Sequence, residues 1–161
     1  MKDLSGFSFG ATSAVTSSLA LMVGLIQLDV SRTGLIGALL VIGLADNIAD
    51  SLGMHIYSES RSRNPSKLST ITNYLTRLGI TLLLIAFVLF LPISLAIIAS
   101  VIVGMLVIAV LSYLIAKEHS LTVPRSSFSI MRNVTEHLAV AALVLVMSNL
   151  VGSAIHLFFH S

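Results

Sequence analysis

Of the 161 residues, 56% are hydrophobic and only 10% are charged, and the mean hydropathy is +1.01. Values of this kind exclude a water-soluble globular domain and identify an integral membrane protein. The formal charge of +2 does not point to nucleic acid, because the basic residues sit in short loops beside apolar segments, and the absence of cysteine rules out disulfides and thiolate metal ligands.

In chain order, Lys2 and Asp3 precede an apolar run dotted with Ser8, Thr12, Ser13, Thr16, Ser17 and Ser18 that continues to about Leu28. It is too long and too polar for the core of a cleavable signal peptide, and it reads as a first transmembrane helix over about 7–28. A polar turn from Asp29 to Thr33 leads into a second helix, 34–57, which ends in the hydrophilic run Ser58 to Lys67. Pro92 divides the long apolar stretch from Ser69 to Ala116, which as one helix would measure about 72 Å at 1.5 Å per residue. Two antiparallel helices, 69–91 and 93–116, joined by a tight turn, are the economical solution. A second polar loop, Lys117 to Arg132 with Pro124 inside it, precedes a fifth helix over 133–159.

The fold class is therefore all-α: a polytopic membrane protein forming a single five-helix transmembrane domain across 1–161. Lys2, Arg61, Arg63, Lys67, Lys117, Arg125 and Arg132 fall on the side shared by the N-terminus and the loops after helices 2 and 4, with Arg77 about two turns into helix 3. Arg32 alone lies on the other side, so the positive-inside rule puts the N-terminus inside and the C-terminus outside. Short loops favour the plasma membrane of a prokaryote over an organelle membrane.

The chemistry concentrates in the second helix. Asp46, Asp50 and Met54 recur every four residues, and Asn47, Ser51 and His55 form the adjacent row. Residues at i and i+4 share a helical face, so one stripe presents two carboxylates and a thioether beside an amide, a hydroxyl and an imidazole. Ionisable groups at membrane depth cost roughly 2.5 to 3.5 kcal/mol each and tend to mark ion or proton paths. Hard oxygen ligands with a thioether and an imidazole suit a first-row divalent cation. The alternative is that both acids are hydrogen-bonded packing glue. Helix 1 offers a face of small and hydroxyl residues, Ser13 among them, suited to close packing or to lining a path. Glu136 and His137, at the start of the fifth helix, stand where an ion could be captured or where charges are simply solvated. No Walker sequence, nucleophile elbow, HExxH or dinucleotide fingerprint occurs, so the chain does not read as an enzyme.

Phe9-Gly-Ala-Thr-Ser13-Ala-Val-Thr16 through Gly24-Leu resembles the first helix of the vacuolar iron transporter family, which reads as a Gly, an Asp-Gly pair, then Ala-Leu and Gly-Leu at the same offsets. Gly43-Leu-Ala-Asp46, with Met54 eight residues after the acid, resembles that family's Gly-Leu-Ala-Glu and its Met. The Pro between helices 3 and 4 and the run Arg125 to Met131 also fit. The resemblance implies a homodimer with an ion path between subunits that moves ferrous iron or manganese out of the cytosol in exchange for protons. It makes Asp46 the helix 2 acid and Met54 the helix 2 thioether. Ser13 stands where the family has its helix 1 Asp, and a basic loop of about a dozen residues replaces the cytosolic metal-binding domain.

The expected function is thus a divalent metal transporter with Asp46, Asp50, Met54 and Asn47 as ligands, His55, Glu136 and Ser13 as accessory or entrance groups, and no permanently bound cofactor. Its partners are the bilayer, metal ions, protons and a second copy. Two other readings stay open: a non-transporting scaffold or assembly protein that keeps the fold, and a proton-coupled carrier of small organic cations.

Overall fold

The computed structural model describes residues 5–61, 67–122 and 127–159, and the regular elements among them are all helical. In order they are α1 (Ser5–Ile26), α2 (Arg32–Val41), a π-helical segment (Ile42–Asp46), α3 (Asn47–Arg61), α4 (Lys67–Phe90), α5 (Ile93–Thr122) and α6 (Ser127–Phe159). α2, the π segment and α3 run on without a break as one span. Five helices are long and apolar enough to cross a membrane: Phe7–Ile26, Arg32–Tyr57, Thr70–Phe90, Ile93–Glu118 and Ser129–Phe159. This is the five-helix, all-α membrane architecture that the apolar runs predict.

The predicted ends differ from the observed ones in two regions: α3 runs on to Arg61, past the expected end at 57, and the loop expected before the fifth helix is mostly helix. α5 continues to Thr122 and α6 starts at Ser127, so most of the polar stretch expected as a loop is helical. Hydropathy marks where hydrocarbon ends, whereas a helix continues for as long as its backbone bonds and side chains allow, and polar residues are good helix formers in water. Lys2, Arg63, Arg125 and His160 lie outside the described residues, as do the side chains of Met54, Arg61, Lys67 and His119.

α1 is the centre of the bundle and packs against the second span, α4, α5 and α6. Its buried positions, Ala11, Ala14, Val15, Ser18, Leu19 and Met22, alternate three and one residues apart and so form one helical face. Small residues let neighbours close in on it, because helices in lipid associate through packing rather than through exclusion of water. Gly10 is the sharpest case: a Cβ built there would lie 2.6 Å from Asn73 Oδ1 and 2.8 Å from the Asn73 carbonyl. Apolar side chains that face outward, such as Ile98 and Ile102 on α5 and Leu143, Val146 and Leu150 on α6, then meet lipid.

The Pro92 break is capped from another span. Arg32 donates to the carbonyls of Leu89 and Leu91 at 3.4 and 3.1 Å, satisfying groups that the end of α4 leaves without a helical partner. The one basic residue on the far side of the topology count is therefore fastened to the α4–α5 turn. Beside it, Ser31 caps α2 by accepting from the Gly34 N–H at 3.1 Å.

Candidate functional site

Along the second span the buried positions are Leu35, Leu39, Gly43, Asn47 and Ser51, a strict four-residue repeat. In a straight α-helix with 3.6 residues per turn such a row would drift around the axis, about 40° at each step. The π segment takes up that drift, because i→i+5 bonding fits more residues into a turn, and π-bulges of this kind collect at functional sites. Gly43, inside it, lies against Thr81 of α4, whose Cγ2 would be 2.6 Å from an added Cβ. The bulge thus keeps one row on α1 and α4 and holds the next row, Asp46 and Asp50, at the edge of the contact.

Arg77 fills that edge. Its Nη2 donates to Asp46 Oδ2, and its Nη1 donates to Asp50 Oδ2 and to Ser13 Oγ. Ser13 Oγ in turn donates to Asp50 Oδ2 at 3.1 Å. One guanidinium therefore joins α1, the second span and α4, with its planar fork spread across two carboxylates. The Arg77 side chain is 3% exposed, whereas those of Asp46 and Asp50 are 42% and 33% exposed. Two acids against one cation leave the cluster with a formal charge of −1. Each carboxylate commits Oδ2 to Arg77, and neither Oδ1 has a hydrogen-bond partner among the described residues.

The adjacent row serves packing. Asn47 Nδ2 donates to the Tyr74 carbonyl at 3.1 Å, and Asn73 Nδ2 donates to Ser51 Oγ at 3.5 Å. Asn47 Oδ1, Asn73 Oδ1 and Arg77 Nε are buried without a partner among the described residues, so this polar layer is only partly satisfied. Other hydroxyls on α1 bond within their own helix: Thr16 donates to the Thr12 carbonyl and Ser17 to the Ser13 carbonyl, each at 2.8 Å.

Of the residues singled out from sequence, the structure brings Asp46, Asp50 and Ser13 together. Asn47 points to the α4 backbone instead. His55 pairs with Glu59 at 3.2 Å, and Glu136 pairs with Arg132 at 3.4 Å on an exposed face of α6. His137 Nδ1 lies 2.9 Å from Ser112 Oγ, between α6 and α5. Met54 continues the acid row in α3, with its side chain outside the described residues. No group of three or more His, Cys, Asp or Glu side chains is placed to hold a metal among the described residues. Arg77 is the residue that sequence reading passed over, having counted it as a topology charge. A lone cation two turns inside a span, with two lone acids inside another, was the available signal.

No family model, no curated protein and no solved structure matches this chain.

Proposed function

We propose that the chain is a membrane carrier that exchanges cations for protons, with Asp46 and Asp50 as cargo ligands and Arg77 as their fixed counter-charge. The observation that carries this reading is the pair of Oδ1 atoms left over once Arg77 is served, in a cluster of net charge −1 at membrane depth. A charge of that kind is costly in lipid unless a proton or a cargo ion neutralises it. Alternation between those two partners is the elementary step of proton exchange.

Ferrous iron or manganese is the cargo that the family resemblance favours. Such an ion would take Asp46 Oδ1 and Asp50 Oδ1 and would need further ligands, from Met54 or from a second copy. A homodimer meets this need. Gly37, Ala45, Ala49 and Gly53 are all exposed on the second span, and a Cβ at Gly37 or Gly53 would meet nothing within 4 Å. Gly37 and Ala45, with the exposed Val41 between them, would let a second copy approach that end of the span in lipid. The half-exposed Asp46 adjoins Ala45.

The scaffold reading has one observation in its favour: Arg77 knits three spans together, which a purely structural cluster would also do. Uptake into proteoliposomes under an imposed pH gradient decides between them. Wild-type flux lost in Asp46→Asn and Asp50→Asn, with helical content and elution unchanged, supports the carrier. Wild type without flux of any cation, combined with a fall in melting temperature in both variants, supports the scaffold.

A further inference from the structure

We infer that the cargo is a monovalent organic ammonium ion held at Asp50 between the rings of Phe9 and Tyr57. This rests on the carrier reading and names its substrate class. Beside Asp50 lies a cavity of about 390 Å³ lined by Phe9, Ala49, Asp50, Gly53 and Tyr57. Its size falls in the range of small-molecule pockets, about 300 to 1,000 Å³. Among the described residues its walls are one carboxylate, two aromatic side chains and two small residues. A hard divalent ion such as manganese favours several converging oxygen ligands, and among the described residues Asp50 is the one carboxylate lining this cavity. An alkylammonium ion is held by a carboxylate and aromatic rings, and residues of both kinds line this cavity.

Charge balance leads to the same conclusion. With Arg77 engaged, the two acids amount to −1, so one monovalent cation neutralises the cluster while one divalent cation leaves +1 at membrane depth. Asp50 Oδ2 is occupied by Arg77 and Ser13, which leaves Oδ1 without a hydrogen-bond partner among the described residues. Phe9 and Tyr57 are 50% and 58% exposed, so their rings border an opening rather than fill the core. Ala49 and Gly53 have side chains too small to occupy the space between them, and a Cβ at Gly53 would meet nothing within 4 Å. Cargo can therefore sit at Asp50 without displacing Arg77.

The test is equilibrium binding of tetraethylammonium and of manganese to the detergent-purified protein, paired with flux of both ions in proteoliposomes. We expect tetraethylammonium to bind and to be carried, and Asp50→Asn to weaken binding by at least about tenfold. Phe9→Leu and Tyr57→Leu keep an apolar wall and remove the ring, and each should weaken binding by about threefold to tenfold, while Tyr57→Phe restores it. Both sites are half-exposed, so these variants leave the core untouched even if Asp50→Asn unsettles the bundle. Tetraethylammonium binding that ignores both ring substitutions overturns the assignment of the cavity. Manganese bound and carried while tetraethylammonium is refused overturns the substrate class and leaves the carrier standing. Neither ion bound nor moved by wild type overturns both.

Discussion

Arg77 donates from Nη2 to Asp46 Oδ2, so the last residue of the π segment is tied to α4 by a charged bond. The same guanidinium holds Asp50 one turn further on, which makes it the sole counter-charge for the two carboxylates among the described residues. Arg77→Gln should therefore destabilise the bundle by about 1 to 3 kcal/mol, less than for a fully buried pair because the stranded carboxylates are half-exposed. The triple variant Arg77→Gln with Asp46→Asn and Asp50→Asn removes the stranded charge and should recover much of the loss. Thermal unfolding in detergent measures both. Equal melting temperatures for the single and triple variants would show that the three groups are not energetically coupled.

Close approach at Gly10 carries a second expectation. An alanine there would press its Cβ onto Asn73 backbone atoms, which cannot rotate away, so α1 and α4 must separate. Gly10→Ala should cost about 1 to 3 kcal/mol through this overpacking. Gly79→Ala on the same α4 is the control, since a Cβ at Gly79 meets nothing within 4 Å. It should leave stability unchanged or raise it by up to about 1 kcal/mol, the helix propensity difference between the two residues. Melting temperatures of the two variants must move in opposite directions, or at least only the first must fall.

The spans were legible in the sequence because each is a long apolar run bounded by charge or by Pro92, and lipid imposes that pattern more strictly than a soluble core does. The acid row of Asp46 and Asp50 was legible too, since four-residue spacing on a helix is unambiguous locally. What could not be read was the partner. Arg77 lies 27 residues from Asp50, and nothing in local periodicity says that the two spans turn these faces toward each other. The π segment was equally hidden: Ile42-Gly-Leu-Ala-Asp46 has no Pro, a single Gly is tolerated inside a helix, and the extra residue shows only in the four-residue spacing of the positions that end up buried. The surroundings of Asn47 were hidden for the same reason, because a shift of one row separates the acids that meet Arg77 from an amide that donates to the Tyr74 carbonyl.

If two copies meet along the second span, Gly37→Leu should break the dimer. The position lies far along the span from Asp50, and a Cβ there meets nothing within the chain, so the protomer itself should stay folded. A side chain of that size would hold the facing helices apart. Analytical ultracentrifugation in detergent should show the wild type as a dimer and the variant as a monomer with wild-type helical content. A wild type that sediments as a monomer removes the dimer from the proposal.

On the proposed carrier reading, Ser13 offers the most direct control over cargo. Its hydroxyl already touches both Arg77 and Asp50, so Ser13→Asp would place a third carboxylate at the same junction, where the resembling family carries its helix 1 acid. The cluster would then hold three acids against one guanidinium, moving its formal charge from −1 to −2. A divalent ion would neutralise it where a monovalent ion would not, and the number of charged ligands is what tunes affinity for such ions. Ser13→Asp should raise manganese affinity by at least about tenfold and lower that of tetraethylammonium. Ser13→Asn keeps the shape without the charge and should do neither. Were Ser13→Asp to leave both affinities where they stand in wild type, the charge of this junction would not be what selects the cargo.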